Sequence, residues 1–238
     1  VRVIDPAQST LQLANSETGV VQSLPRGLAL SDLTQGFGKI AFGFDWLGIE
    51  MGLISAHKLG GPKGVGALVV RQGLDVAAQI RGGGQEMGRR SGTENVIGIA
   101  GFGAAAEAAQ RDLANGRWAH VEKLRNILES ALEASSNTTI FVGKGAARLP
   151  NTSCFATPGW RGETQVMQMD LAGFAISAGS ACSSGKVRAS AVLTAMGLGD
   201  VAAHAVRISL GLETTEDDVL RFAEVWAQKL KKHEARAA

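Results

Sequence analysis

The sequence predicts an α/β protein in two units: a mainly parallel sheet with helices over residues 1–112, then a smaller α/β unit over 113–238. Three observations lead there. Short apolar runs alternate with stretches of helical period, the pattern of strands joined by crossovers. Glycine is abundant, at 31 residues, which suits a protein whose tight turns approach a ligand. Residues able to do chemistry recur just past predicted strand ends, where parallel sheets gather their ligands.

Taken in order, residues 9–14 alternate as a strand and enter a polar turn at 15–19. A connection through Pro25 and Gly27 leads to a second strand at 28–32, which ends on Asp32. Gly52-Leu53-Ile54 reads as a buried strand end and Ala67-Leu68-Val69-Val70 as the next strand. Residues 93–114 suit a buried helix, with Thr93 and Glu94 near its start. Val121, Leu124, Ile127, Leu128 and Leu132 then mark one helical face. The second unit reads as strands at 138–142 and 152–156, a helix at 163–171, a strand at 174–177, a helix at 189–196 and a strand at 206–210. In the last helix Thr215 is the cap, and Glu216, Asp217 and Asp218 fill the positive first turn. Lys229, Lys231 and Lys232 fill the last turn. Val219, Phe222, Val225, Trp226 and Leu230 line its apolar face.

Composition narrows the function. A net charge of +2, with no basic tract, gives no electrostatic case for nucleic acid. No apolar run approaches the roughly 18 residues of a membrane span, and the opening residues carry no signal-peptide pattern. Two cysteines far apart make neither a disulfide framework nor a zinc spacing. A reducing cytoplasm and no metal are therefore expected. Residues 83–90 have the spacing of a phosphate-binding P-loop. They put Arg89 and Arg90 where its Lys and Ser/Thr belong, which argues against nucleotide binding.

The stretch Ser55-Ala56-His57-Lys58-Leu59-Gly60-Gly61-Pro62-Lys63-Gly64-Val65-Gly66 follows a strand end and delivers a hydroxyl, an imidazole and an amine within four residues. A lysine set this way is placed to form a Schiff base. Apolar surroundings would lower its pKa, while Ser55 and His57 can donate to an anion beside it. Taken singly, Lys58 also fits a surface lysine in a polar turn, and Asp32 a helix cap. Cys182 lies in Ser177-Ala178-Gly179-Ser180-Ala181-Cys182-Ser183-Ser184-Gly185, whose small residues cannot pack it tightly, so an exposed, mobile thiol is expected. Cys154, in Thr152-Ser153-Cys154-Phe155, reads as a buried, inert one. Arg207 stands within the apolar strand Ala205-Val206-Arg207-Ile208-Ser209-Leu210, and a buried arginine needs an anionic partner.

The Ser55 to Gly66 segment resembles the cofactor-lysine motif of the class V aminotransferase family, which binds pyridoxal phosphate. Within that family the chain is similar to the cysteine desulfurases, from about Asn15 to the last helix. The resemblance implies a partial fold type I transferase large domain over 1–112, then a small domain carrying the cysteine loop. It makes Lys58 the cofactor lysine and the base that moves the Cα proton of L-cysteine. Asp32-Leu33-Thr34-Gln35 resembles the family's Asp-x-x-Gln, with Asp32 at the pyridine nitrogen and Gln35 at the phenolic oxygen. Ser55 and His57 would hold the phosphate. Arg90-Ser91-Gly92-Thr93 resembles a loop whose threonine reaches the phosphate of a partner subunit, which implies a homodimer, although Thr93 also fits a helix N-cap. Arg207 would bind the substrate α-carboxylate. Cys182 would take the sulfur as a persulfide, leaving alanine, for a sulfur acceptor or iron–sulfur scaffold protein. The alternatives are a non-catalytic remnant serving as a dimerising or scaffold-binding module, and a class V transaminase or selenocysteine lyase, which the Cys182 loop matches poorly.

Three departures from the family pattern stand out. A segment ahead of the Asn15 counterpart, with a ring-stacking histidine and a phosphate-binding turn, has no match. The family's Asn-Asn-Glu turn reads Asn15-Ser16-Glu17, and the 22–32 connection is about half the usual length, without a helix. The expectation is weak cofactor binding by these 238 residues alone.

Overall fold

In the computed structural model residues 2–178 and 189–237 are described. They fall into two units, Val1–Ala14 with Gln22–Asn115, and Asn15–Val21 with Gly116–Ala238. The boundary expected after residue 112 lies after Asn115, and Asn15–Val21 belongs to the second unit. The reason is local pairing. The Asn15 side chain closes its own turn by accepting from the backbone N–H groups of Glu17 and Thr18. The residues that follow then hydrogen-bond to the second unit, Val21 N–H to Ala147 O and Leu149 N–H to Gly19 O.

In the first unit β1 (Thr10–Gln12), β2 (Leu30–Asp32) and β3 (Met51–Ser55) are parallel, and β4 (Gly66–Val70) returns antiparallel to β3. The connection from β1 to β2 contains no helix, as expected, and a short helix α1 (Phe44–Leu47) precedes β3. Ser31 pairs with Gly52 and is buried, its hydroxyl donating to Leu11 O across β1 at 2.8 Å. A Cβ at Gly52 would lie 2.6 Å from Leu33 Cδ1 and 3.3 Å from Phe44 Cε2, so a larger residue would have to push those side chains aside.

Helix α2 (Val96–Ala114) differs from the buried helix expected. Only Gly98 and Ala109 are buried, and Ile97 is 87% exposed. Its contact with the sheet loops runs along one small-residue stripe: Gly101 meets Pro62, Ala105 meets Gly61 and Ala109 meets Gly38. A stripe of that width covers loop backbone and leaves the other apolar positions outside. The helix cap is Asn95, whose side chain accepts from Gly98 N–H at 3.1 Å, rather than Thr93.

The second unit begins with α3 (Arg117–Ser135) and carries an antiparallel sheet, β5 (Ile140–Phe141), β6 (Thr152–Ala156), β8 (Ala205–Ser209) and β7 (Ser177–Ala178) in that spatial order. Helices α4 (Gly162–Asp170) and α5 (Ala191–Ala195) lie between its strands in sequence, and α6 (Glu216–Ala237) closes the chain. Leu124, Leu128 and Leu132 of α3 share a core with Val219, Phe222, Trp226 and Leu230 of α6, as the helical spacing predicts. Phe155 and Trp160 complete it, each ring centroid within 5.7 Å of Trp226. The start of α6 is a reciprocal cap. Thr215 Oγ1 accepts from Asp218 N–H, and the Asp218 carboxylate accepts from Thr215 N–H and Oγ1–H. These bonds hold the Asp218 carboxyl below its ordinary pKa.

Candidate functional site

Parallel pairing brings the first group of predicted residues together. Asp32, the last residue of β2, pairs with Leu53 of β3, so it stands two residues short of Ser55 on the neighbouring strand. The carboxyl ends of two parallel strands thus deliver a carboxylate and the Ser55-Ala56-His57-Lys58 turn to one edge of the sheet. Residues Ala56–Lys58 form a 3-10 turn, closed by Leu59 N–H and Gly61 N–H donating to Ala56 O. The Ser55 hydroxyl and His57 Nδ1 are 2.8 Å apart, joining the two proposed anion donors. One Asp32 oxygen, Oδ1, accepts from Thr34 N–H at 2.9 Å. Oδ2 has no hydrogen bond among the described residues. The aspartate therefore caps its own turn and still presents a free carboxylate oxygen.

Electrostatics here depart from the sequence reading. Lys58 is exposed, not set in apolar surroundings. The lysine that is desolvated is Lys39, which the sequence analysis did not single out. Burial, with the nearby Lys58 charge, pulls its pKa from 10.5 down to about 8. Its amine donates to Gln35 O at 3.0 Å and to Lys58 O at 3.4 Å, linking the two turns. No short-range pattern marks it in the sequence.

Thr93 is exposed and makes no hydrogen bond among the described residues, so within this chain nothing joins it to Ser55 or Lys58. The P-loop spacing at 83–90 forms no P-loop. Gln85–Gly88 is a 3-10 segment with Glu86 and Met87 at positive φ, and Arg90 is engaged by Glu86 and by Gly92 O. A groove of about 580 Å³ in the first unit, lined by Leu68, Val70, Ile80, Ile99 and Phe102, includes none of the predicted site residues.

In the second unit Arg207 is half-buried rather than fully enclosed. Its guanidinium donates to Ser16 O at 2.9 Å, Ser177 Oγ at 3.1 Å and Ser209 Oγ at 3.2 Å. Each acceptor is neutral, and no carboxylate lies within ion-pair distance of it among the described residues. A charge held by neutral groups keeps its capacity for an anion. Beside it on β6, Cys154 is buried, and burial, aided by the Glu17 charge, pushes its thiol up to about 12. That thiol stays protonated at neutral pH, and its burial is as expected. Cys182 lies outside the described residues.

The described residues contain no cluster of His, Cys, Asp and Glu able to hold a metal, and no helix long and apolar enough to cross a membrane.

Comparison with known proteins bears on this arrangement directly. A cysteine desulfurase of Cereibacter sphaeroides is 42% identical over 226 residues, covering 91% of this chain and 57% of the relative. A cysteine desulfurase of Gluconacetobacter diazotrophicus is 41% identical over 238 residues, covering 94% of this chain and 59% of that one. The crystal structure of a NifS-like protein from Rickettsia africae superposes with a TM-score of 0.80 at 32% identity, over 95% of this chain and 61% of the other. The chain thus spans about three fifths of the length of the relatives it matches. Its fold is that of the NifS-like fold type I enzymes. These relatives depend on pyridoxal phosphate. The lysine turn, the strand-end carboxylate and the small-residue cysteine segment all fall within the match of residues 9–222 to the family model Aminotransferase class-V, and the chain belongs to that family.

Proposed function

We propose that this chain contributes the catalytic residues of a cysteine desulfurase, which takes sulfur from L-cysteine to leave alanine and an enzyme persulfide. The observation that carries the reading is the convergence of Asp32 and the Ser55-His57-Lys58 turn at the carboxyl ends of adjacent parallel strands. The donor set fits pyridoxal phosphate: an exposed amine, a carboxylate with one oxygen open, and a hydroxyl joined to an imidazole. Lys58 would hold the cofactor, Asp32 its pyridine nitrogen and Gln35 its phenolic oxygen, with Ser55 and His57 on its phosphate. When bound, that cofactor supplies an electron sink for charge developing at the substrate Cα.

The chain's own groups have separate tasks. Lys58 Nζ takes the proton from Cα and returns it. Arg207 binds the α-carboxylate, and its neutral acceptors leave its charge free for that role. The Cys182 thiolate forms an S–S bond to the substrate sulfur as the Cβ–S bond breaks, and Cβ takes up a proton to give alanine. Thr93, exposed and without a partner in this chain, reaches across to the phosphate site of a second subunit, which makes the working form a homodimer. The persulfide passes to a sulfur acceptor or iron–sulfur scaffold in the cytoplasm. The first unit serves as part of the family's large domain and the second as its small domain. A second reading, a dimerising or scaffold-binding module without catalysis, is favoured by the exposed apolar positions of the first unit.

Borohydride reduction with pyridoxal phosphate, followed by peptide mapping, tests the lysine. Label on Lys58 supports the assignment, and label on Lys39 or Lys63, or none, overturns it. In the same preparation Cys182→Ala should keep the cofactor absorbance and lose sulfide release, while Cys154→Ala keeps both.

A further inference from the structure

The lysine turn and the carboxylate turn are linked by a group that the proposed chemistry does not use. Lys39 donates to Gln35 O at 3.0 Å and to Lys58 O at 3.4 Å, acceptors 23 residues apart in sequence. Both turns also rest on the same helix. Gly38, at φ +74, lies so close to α2 that a Cβ would stand 2.7 Å from Ala109 Cβ. Gly61, which closes the Lys58 turn, would put its Cβ 3.2 Å from Ala105 Cβ. Ala105 and Ala109 are one helical turn apart and share a face. The helix therefore seats the two turns side by side, and the ammonium bridges them from a position sheltered from water. Backbone carbonyls are neutral acceptors, so they satisfy the donors without cancelling the charge. That shelter is costly for an ammonium, which is why its proton is held less firmly than usual.

We propose that Lys39 is a positioning residue, which fixes the spacing between the turn at 32–38 and the turn at 55–61 and so the separation of Asp32 from the Lys58 amine. The relevance of that spacing to the cofactor rests on the function proposed above. The link itself does not.

Hydrogen exchange on the full chain, read by mass spectrometry, tests the link without cofactor. The reporters are Gly36 and Phe37 N–H, which donate to Leu33 O, and Leu59 and Gly61 N–H, which donate to Ala56 O. In Lys39→Met, exchange should rise about tenfold in both turns while β6 and β8 are unchanged, the change expected for one lost charge-assisted bond. Lys39→Arg, which keeps donors and charge, should restore most of the protection. Lys39→Gln, which removes the charge and keeps a shorter donor, stands in if methionine prevents folding, and should loosen both turns. With pyridoxal phosphate added, Lys39→Met should bind about tenfold more weakly yet still carry the reduced label on Lys58 at saturation. A rise in one turn only, no rise, an equal rise in β6 and β8, or no rescue by arginine would overturn the proposal. If the wild-type chain takes no label on Lys58 but both turns loosen as described, the link stands and the cofactor reading falls.

Discussion

The two units hold themselves together differently. The second is built around large side chains withdrawn fully from water, with Trp226 in contact with both Phe155 and Trp160. Aromatic side chains bury about 150–250 Å² each, worth roughly 4–6 kcal/mol apiece at ~25 cal/mol per Å² before entropy is subtracted. Buried charge is paired there too: Arg148 binds both oxygens of Glu129 at 2.7 and 2.9 Å, and Ser153 donates to the same carboxylate. The first unit buries mainly aliphatic side chains such as Leu11, Leu28, Leu33 and Ile49. It leaves Leu53 and Leu68, paired across β3 and β4, at 39% and 46% exposure. The unit with the denser core carries Arg207, and the unit with the lighter one carries the lysine turn. Precision at Lys58 thus depends on particular backbone contacts and on Lys39 more than on bulk packing.

The sharpest way to break this contrast is to remove an aromatic anchor. Trp226→Ala should cost the second unit about 3–5 kcal/mol. It should raise hydrogen exchange in α3, β6 and α6 while sparing β2 and β3. Equal loosening of β2 and β3 would show that the first unit draws its stability from the second unit's core.

A somewhat smaller effect is expected from the buried ion pair. Burial alone would raise the Glu129 pKa, but the hydrogen bonds from Arg148 and Ser153 and the nearby Arg125 charge more than offset it, and the net shift is downward. A carboxyl held lower in the folded state stabilises it fully above the unfolded value, 4.5. That contribution fades as pH falls below 4.5 towards the folded pKa. Glu129→Gln should destabilise the second unit by about 3 kcal/mol at pH 7, since an unpaired buried charge remains on Arg148. Denaturant midpoints taken from pH 7 to 3 should converge for wild type and variant at the acid end, and parallel curves would refute the account.

The smallest effect lies on the exposed face of the first unit. Leu68→Lys should change stability by no more than about 0.5 kcal/mol, because the side chain already meets solvent. The same exchange at Leu128, fully buried in the second unit, should prevent folding. Circular dichroism melts of the two variants make the comparison, and a large loss at Leu68 would mean that this face is covered in solution.

Sequence alone determined what depends on local spacing. The helical periods of α3 and α6 named their buried faces, and the Thr215 cap could be read from composition at one helix start. The run from Ser55 to Gly66 announced a lysine turn between two strands. The strand context Thr152-Ser153-Cys154-Phe155 pointed to a buried thiol, and Cys154 is buried. Each of these properties is carried by residues a few positions apart, so the pattern is visible in the chain.

Tertiary structure decided the rest. Lys39 rather than Lys58 is the desolvated lysine, and one of its two acceptors, Lys58 O, lies 19 residues away in sequence. Asn15–Val21 joined the second unit because its backbone partners lie at 147–149. Arg207 found a carbonyl at Ser16, 191 residues earlier, where sequence could say only that an anion was needed. Spacing along a chain fixes which residues share a helix face or strand end. Dielectric environment, and the partner of each charge, come from whatever the fold brings across that distance.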